Sequence, residues 1–147
     1  MPPIMPEPVA PHHAENLFFV YGTLRHKAAN DITLLQPAPR FIGPACIRGT
    51  MVHMGRYPGV TLAGDSHKAG ETAGDIVGEV YAVSPALEAV LDTIEAQYPQ
   101  DPDEYVKRSI TVDVHGTSLQ CFVYEMNLRF TYGKPVIASG DWVAASS

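Results

Sequence analysis

Cysteine is scarce in this chain, and the hydrophobic segments of exported or membrane proteins are missing. The 147 residues include only Cys46 and Cys121, which are far apart and lie among apolar neighbours. Such cysteines are expected to be buried free thiols in a reducing compartment. No apolar run approaches the roughly 20 residues of a membrane-spanning helix. The N-terminus lacks the basic-then-apolar order of a signal peptide, so we expect a cytoplasmic protein with no membrane partner.

Clustered positive charge and familiar catalytic motifs are also absent. The chain has 10 Lys and Arg against 16 Asp and Glu, with no basic run, so nucleic acid is not an expected partner. It contains no Gly-x-Ser-x-Gly, no phosphate-binding Walker loop, no Gly-x-Gly-x-x-Gly and no His-Glu-x-x-His. The histidines show no metal-binding spacing, and neither cysteine has a cationic neighbour in sequence. We therefore expect no metal, no cofactor and no thiolate nucleophile.

The chain is predicted to consist of an arm and one domain. Residues 1–15 contain five prolines and two adjacent histidines, which is typical of a flexible segment. Residues 16–147 have the length of a single domain, which we expect to be a monomer or a homodimer.

An apolar strand that ends in a glycine-containing loop is the most informative stretch. Residues 17–20 read Leu-Phe-Phe-Val and predict a buried strand, after which Tyr21, Gly22, Thr23 and Leu24 follow. Glycine lets a ligand approach the main chain. Amide N–H groups beyond a strand end lack a ladder partner, so an anion or a polarised carbonyl would satisfy them.

One helix is strongly predicted. Ser84 and Pro85 supply the N-cap and the first helical position, and prolines at 99 and 102 end it. Its apolar stripe is formed by Leu87, Val90, Leu91 and Ile94. Glu95 lies roughly 40° from Leu91 and borders this stripe, whereas Asp92 and Glu88 are predicted to point more to water. Glu95 is then either a solvated helix-end residue or a carboxyl whose raised pKa suits proton transfer.

The remaining pattern predicts an α+β fold built on short strands. We expect two short strands joined by a turn or a bulge within 41–54, where Gly43, Pro44 and Gly49 interrupt the alternation. A turn at 57–59, a strand at 60–62, a loop at 63–75, and strands at 76–83, 105–114 and 119–126 follow. The last two are joined by a hairpin turn at 115–117. Strands and helices do not alternate, which favours a closed or nearly closed, mostly antiparallel sheet.

Several motifs, in order, resemble the gamma-glutamylcyclotransferase-like (AIG2-like) family. They are Phe19-Val20-Tyr21-Gly22-Thr23-Leu24-Arg25, Tyr57-Pro58-Gly59, Val77-Gly78-Glu79-Val80-Tyr81, Leu91-Asp92-x-x-Glu95, Tyr105-x-x-Arg108, Val123-Tyr124 and Ser139-Gly140-Asp141-Trp142. The similarity runs from about residue 18 to residue 142. The chain departs from many relatives after the helix, where Glu95-Ala96-Gln97-Tyr98-Pro99 precedes an acidic insertion that ends at Glu104.

The resemblance implies a small β-barrel with flanking helices and an amine-releasing activity. The α-amine of a gamma-glutamyl group would attack its own γ-carbonyl, forming 5-oxoproline, with Glu95 as the proton acceptor. The residues expected to bind this small-molecule substrate are Tyr21, Gly22, Thr23, Leu24, Tyr57, Gly59, Tyr105 and Tyr124. Tyr21 is expected mainly to pack, with its hydroxyl at the pocket edge.

Two alternatives to this cyclotransferase remain open at the level of sequence. In the first, the leaving amine belongs to a carrier or is a non-peptide amine. In the second, the domain binds a small molecule without catalysis. Arg25 is expected in a surface salt bridge or on a substrate carboxylate, Arg108 beside an acid, and Trp142 as a cap on the core.

Overall fold

The computed structural model describes residues 15–62, 74–97 and 104–146. The strands are β1 Asn16–Val20, β2 Arg40–His53, β3 Pro58–Leu62, β4 Gly74–Val83, β5 Tyr105–Val114 and β6 Thr117–Met126, and the α-helices are α1 Pro85–Gln97 and α2 Trp142–Ser146. Short 3₁₀ helices span Ile32–Leu34 and Leu128–Phe130. No helix in these ranges is long and apolar enough to cross a membrane.

The six strands form one sheet in the order β3-β2-β4-β1-β6-β5. Every neighbouring pair is antiparallel except β1 and β6, which are parallel. The sheet curls until Gly43 of β2 lies against Val114 of β5 and Gly59 of β3 lies against Met126 of β6. This half-barrel confirms the predicted α+β fold with a mostly antiparallel sheet.

The core has two parts, one on each face of the sheet. Phe19 belongs to the cluster inside the curl, while its neighbour Phe18 belongs to the cluster beneath α1. Successive side chains of a strand point to opposite faces, so β1 contributes to both clusters. Leu87 and Leu91 of α1 are fully buried in the second cluster, as their helical spacing predicted.

The prediction for residues 41–54 was wrong in one respect, because β2 is one strand of 14 residues. The register shift between Phe41 and Gly43 absorbs the irregularity without ending the strand. Residues 58–59, predicted as a turn, begin β3, and residues 74–75, predicted as loop, begin β4. The rest of the predicted loop at 63–75, and residues 1–14 of the predicted arm, lie outside the described residues.

The hairpin between β5 and β6 is confirmed. His115 and Gly116 have φ values of 51° and 83°, which is the backbone of a tight two-residue turn. The prediction that both cysteines are buried was half wrong. Cys121 is buried, and burial raises the pKa of its thiol to about 11, whereas Cys46 is exposed. Inward positions of β2 alternate with outward ones, and Cys46 falls on the outward set.

Candidate active site

The loop that follows β1 places three consecutive amide groups at the end of the strand. Its carbonyl groups accept hydrogen bonds, from the Arg25 amide to Gly22 O (3.0 Å), from Asn30 to Thr23 O (2.7 Å) and from Ile32 to Leu24 O (2.9 Å). The amides of Gly22, Thr23 and Leu24, in contrast, donate to no group in the described ranges. Thr23 and Leu24 are also buried. Amide groups at a strand end that lack a protein partner are available to a ligand oxygen.

Glu95 lies near the C-terminal end of α1, one turn after Leu91, and is partly buried. Burial, and then the negative charge of Asp92, raise the pKa of its carboxyl to about 7. Within residues 15–62, 74–97 and 104–146, no side chain or main-chain group is hydrogen-bonded to this carboxyl. Glu95 can therefore gain and lose a proton near neutral pH.

A single pocket contains both features. It is lined by Phe19, Val20, Tyr21, Gly22, Thr23, Leu24, Tyr57, Pro58, Glu95, Tyr105 and Tyr124. Among these residues Glu95 carries the one acidic side chain, and none is basic. The pocket therefore contains one carboxyl, main-chain amides without a partner in the described ranges, and aromatic side chains.

The tyrosine hydroxyls of the pocket are engaged with the protein. Tyr21 donates to Tyr124 O (2.5 Å), and Tyr105 donates to Pro58 O (2.7 Å). Tyr57 donates to a Glu104 carboxylate oxygen (2.5 Å), while Tyr124 donates to Asp92 Oδ1 (2.6 Å). Burial is the main cause that raises the pKa of all four phenols. They are neutral groups that brace the pocket walls.

The structure brings together all but one of the predicted binding residues. Gly59 does not line the pocket, because its main chain lies against the Met126 side chain. The Tyr21 hydroxyl is inside the protein, on Tyr124 O, and not at the pocket edge where it was expected. Trp142 is buried against the inner core, as expected of a cap.

The two predicted arginine ion pairs differ in outcome. Arg108 pairs with Glu125 at 2.9 Å, as expected. Arg25, however, is not a surface residue: its side chain is 11% exposed and pairs with Glu79 and Asp141, both at 2.7 Å. It lies one residue beyond the loop of free amides and ties that loop to β4 and to the start of α2.

Sequence reasoning missed Asp92, Glu104 and Pro58 as parts of the site. Asp92 was predicted to point to water, and its side chain is 47% exposed, yet it also holds the hydroxyl of Tyr124. Its position one turn before Glu95 is a signal that could have found it. Glu104 is buried at 3% exposure, and no periodicity marks it in the sequence.

The curled sheet and its pocket define a class of small α+β half-barrel domains, and known proteins identify the family. The model of the family described as gamma-glutamyl cyclotransferase, AIG2-like, matches residues 18–144. A putative gamma-glutamylcyclotransferase from Vibrio cholerae serotype O1 is 31% identical over 130 residues, which cover 87% of this chain and 96% of that protein. The chain therefore belongs to the gamma-glutamylcyclotransferase-like (AIG2-like) family.

Solved structures agree with this assignment. The crystal structure of an AIG2-like protein from Mus musculus superposes with a TM-score of 0.62 at 27% identity, covering 78% of each chain. YkqA from Bacillus subtilis gives a TM-score of 0.63 at 29% identity, and that match covers 90% of this chain but 43% of YkqA. The present chain thus spans less than half the length of YkqA.

Proposed function

We propose that this protein cyclises a gamma-glutamyl group to 5-oxoproline and releases an amine. The observation that carries the proposal is the presence of Glu95 and three unpartnered amides in one pocket. Family membership supports the reaction class. The pocket supplies a proton acceptor and hydrogen-bond donors that can bind an anion. The reaction needs no protein nucleophile because the substrate provides its own amine.

The amides of Gly22, Thr23 and Leu24 hold the negative groups of the substrate. These are the α-carboxylate of the glutamyl head and the oxyanion that develops on its γ-carbonyl. Since none of the described residues that line the pocket is basic, main-chain dipoles carry this task. Loss of one oxyanion donor typically costs about 3 kcal/mol of transition-state stabilisation. The aromatic walls keep the head in the conformation that brings amine and carbonyl together, which can supply several kcal/mol.

Glu95 transfers the proton. As a carboxylate it removes a proton from the α-ammonium group, and the free amine attacks the γ-carbonyl carbon to form the ring C–N bond. The protonated Glu95 then delivers this proton to the departing nitrogen as the old C–N bond breaks. The ring nitrogen gives up its second proton, which the released amine takes up to leave as an ammonium group. A pKa of about 7 suits both directions of this transfer. Such a shuttle typically accelerates a reaction by about 10²–10⁴-fold.

Replacement of the proton acceptor is the central test. Glu95→Gln should keep the fold and the affinity for 5-oxoproline but abolish its release from gamma-glutamyl compounds. The assay follows 5-oxoproline by chromatography, binding is measured by calorimetry, and circular dichroism checks the fold. A Gln variant with undiminished turnover would remove Glu95 from the mechanism. Chelators should leave the rate unchanged, because no proposed step uses a metal.

The leaving amine is addressed by a substrate panel. Gamma-glutamyl peptides, gamma-glutamyl-ε-lysine and simple gamma-glutamylamines share the reacting head and differ only in the amine. The substrate with the largest kcat/KM identifies the class. If the protein binds 5-oxoproline but turns over no member of the panel, the result would support a binding or regulatory domain and contradict the proposed enzyme.

A further inference from the structure

A charged cluster beside the active-site helix has no role in the chemistry above. Lys107 of β5 contacts two carboxylates of α1, Glu88 at 2.7 Å and Asp92 at 3.0 Å. Its ammonium nitrogen also lies 5.4 Å from the ring centroid of Phe18 and 5.7 Å from that of Phe122. The ring centroid of Tyr124 lies 5.8 Å away as well. One lysine thus meets two successive helical turns and three aromatic rings, which is more than a solvated surface pair provides.

The cluster connects directly to the pocket. Asp92 accepts the hydroxyl of Tyr124, which is a pocket wall, and precedes Glu95 by three residues on the same side of α1. Glu88 accepts a hydrogen bond from Asn16 of β1 at 2.9 Å. The helix that carries Glu95 is therefore fastened by polar contacts to β1, β5 and β6.

We propose that Lys107 is a positioning residue for Glu95: it ties two turns of α1 to β5 and balances the negative charge that Asp92 places beside Glu95. The catalytic meaning of this role rests on the proposed function. The physical arrangement is independent of that function: Glu95 has an acidic neighbour, Asp92, which is itself paired with Lys107.

Few of the titratable groups near Glu95 carry a charge that can change its pKa. The groups on the surrounding elements are Glu88, Asp92, Tyr21, Tyr57, Glu104, Tyr105, Lys107, Tyr124 and Glu125. The tyrosines are neutral at working pH, because burial raises the pKa of each phenol. Glu104 holds Tyr57, and Glu125 pairs with Arg108. Within the described ranges, Lys107 is the basic residue that contacts Asp92.

Two substitutions should therefore move the titration of Glu95 in opposite directions. Lys107→Gln leaves the charge of Asp92 unbalanced, which favours protonated Glu95, so its midpoint rises. Asp92→Asn removes the repelling charge but keeps an oxygen for Tyr124, so the midpoint falls. We expect shifts of roughly half a pH unit to one unit, the scale for partly screened charges about one helical turn apart. Lys107→Arg keeps the positive charge, so its midpoint should match that of the wild type.

The experiment measures the Glu95 carboxyl by ¹³C NMR titration and, in parallel, the pH profile of kcat/KM. Arg108→Gln is the matched control, because it removes one positive charge from the next residue of β5, and its midpoint should stay unchanged. Opposite NMR shifts for Lys107→Gln and Asp92→Asn support the proposal. Unmoved midpoints, shifts of the same sign, or an equal shift in Arg108→Gln overturn it. Since the NMR titration needs no turnover, an inactive wild-type protein would contradict the proposed function without deciding the role of Lys107.

Discussion

At the scale of single residues, the environment of Glu95 destabilises its ionised form, which lowers the stability of the folded protein but lets the carboxyl accept a proton near neutral pH. Its carboxyl is partly buried, carries no hydrogen bond from the described residues, and lies near the charge of Asp92. Each of these conditions disfavours the ionised form, and together they raise its pKa to about 7 from a usual 4.5. A carboxyl with a purely structural role would be paired or solvated. The unfavourable environment of ionised Glu95 therefore supports a role in proton transfer.

This destabilisation of the ionised form predicts a pH-dependent effect of Glu95→Gln on stability. The folded state binds a proton at Glu95 more tightly than the unfolded state, so the wild type loses stability as pH rises from 4.5 to about 7. The variant lacks this loss. It should match the wild type near pH 4 and exceed it near pH 8, by up to about 3 kcal/mol. Urea denaturation at both pH values measures the difference, and an equal difference at both would contradict the raised pKa.

Only part of this residue-level picture could be predicted from the sequence. Helical periodicity placed Glu95 at the border of the apolar stripe, because that depends on local spacing alone. The partners of Asp92, Lys107 and Glu104 lie 15 to 47 residues away in the sequence, and no local pattern reports such pairing. The burial of Arg25 escaped prediction for the same reason, since Glu79 and Asp141 are distant in sequence.

At the scale of elements, the loop after β1 depends on close contact with β3. A Cβ atom added at Gly22 would lie 2.8 Å from Cγ of Pro58, closer than such atoms approach. Pro58 O also accepts the hydroxyl of Tyr105, so the loop, β3 and β5 meet at one point of the pocket. Glycine is needed at this position because Pro58 leaves no space for a Cβ atom. The sequence indicated only that glycine would let a ligand approach the main chain.

Gly22→Ala should therefore weaken substrate binding more than it slows the bound reaction. The methyl group must displace Pro58 or the loop, which moves the amides relative to Glu95. We expect KM to rise about tenfold, equivalent to about 1.4 kcal/mol of binding. Gly74→Ala is the control, because an added Cβ there meets no atom within 4 Å. A Gly22→Ala enzyme with the KM of the control would show that the loop does not hold the substrate.

The sequence predicted whole elements best where one pattern is strong. The alternation in β4 placed Ile76 and Val80 in one core cluster and Tyr81 and Val83 in the other, and the turn at His115 and Gly116 followed from its composition. The length of β2 was missed because its interior glycines suggested interruptions. Gly49 is instead required inside the strand, where an added Cβ would collide with the carbonyl of Thr61 on β3.

At the scale of the whole molecule, Arg25 connects three distant segments. Its guanidinium joins the end of the amide loop to Glu79 in β4 and to Asp141 beside α2. The Glu79 carboxylate also accepts the His26 amide at 3.1 Å. Burial disfavours ionised Asp141, but the amide of Ala144 and the charge of Arg25 outweigh it and lower the pKa of this carboxyl. The Arg25 side chain thus links the site loop to the segment that begins α2.

Arg25→Gln should destabilise the protein strongly at neutral pH and less in acid. Removing the cation leaves two partly buried carboxylates without their partner, which costs about 3 kcal/mol in comparable pairs. Because the pKa of Asp141 is lowered in the folded state, its ion pair stabilises above the usual 3.8 and is lost as pH falls. The deficit relative to the wild type should therefore shrink as the pH falls below that value. Arg40→Gln, whose pair with Glu15 is 63% exposed on the arginine side, should cost less than about 1 kcal/mol in the same urea titrations. Equal costs for the two variants would mean that Arg25 is an ordinary surface residue and that the loop of amides is held by other contacts.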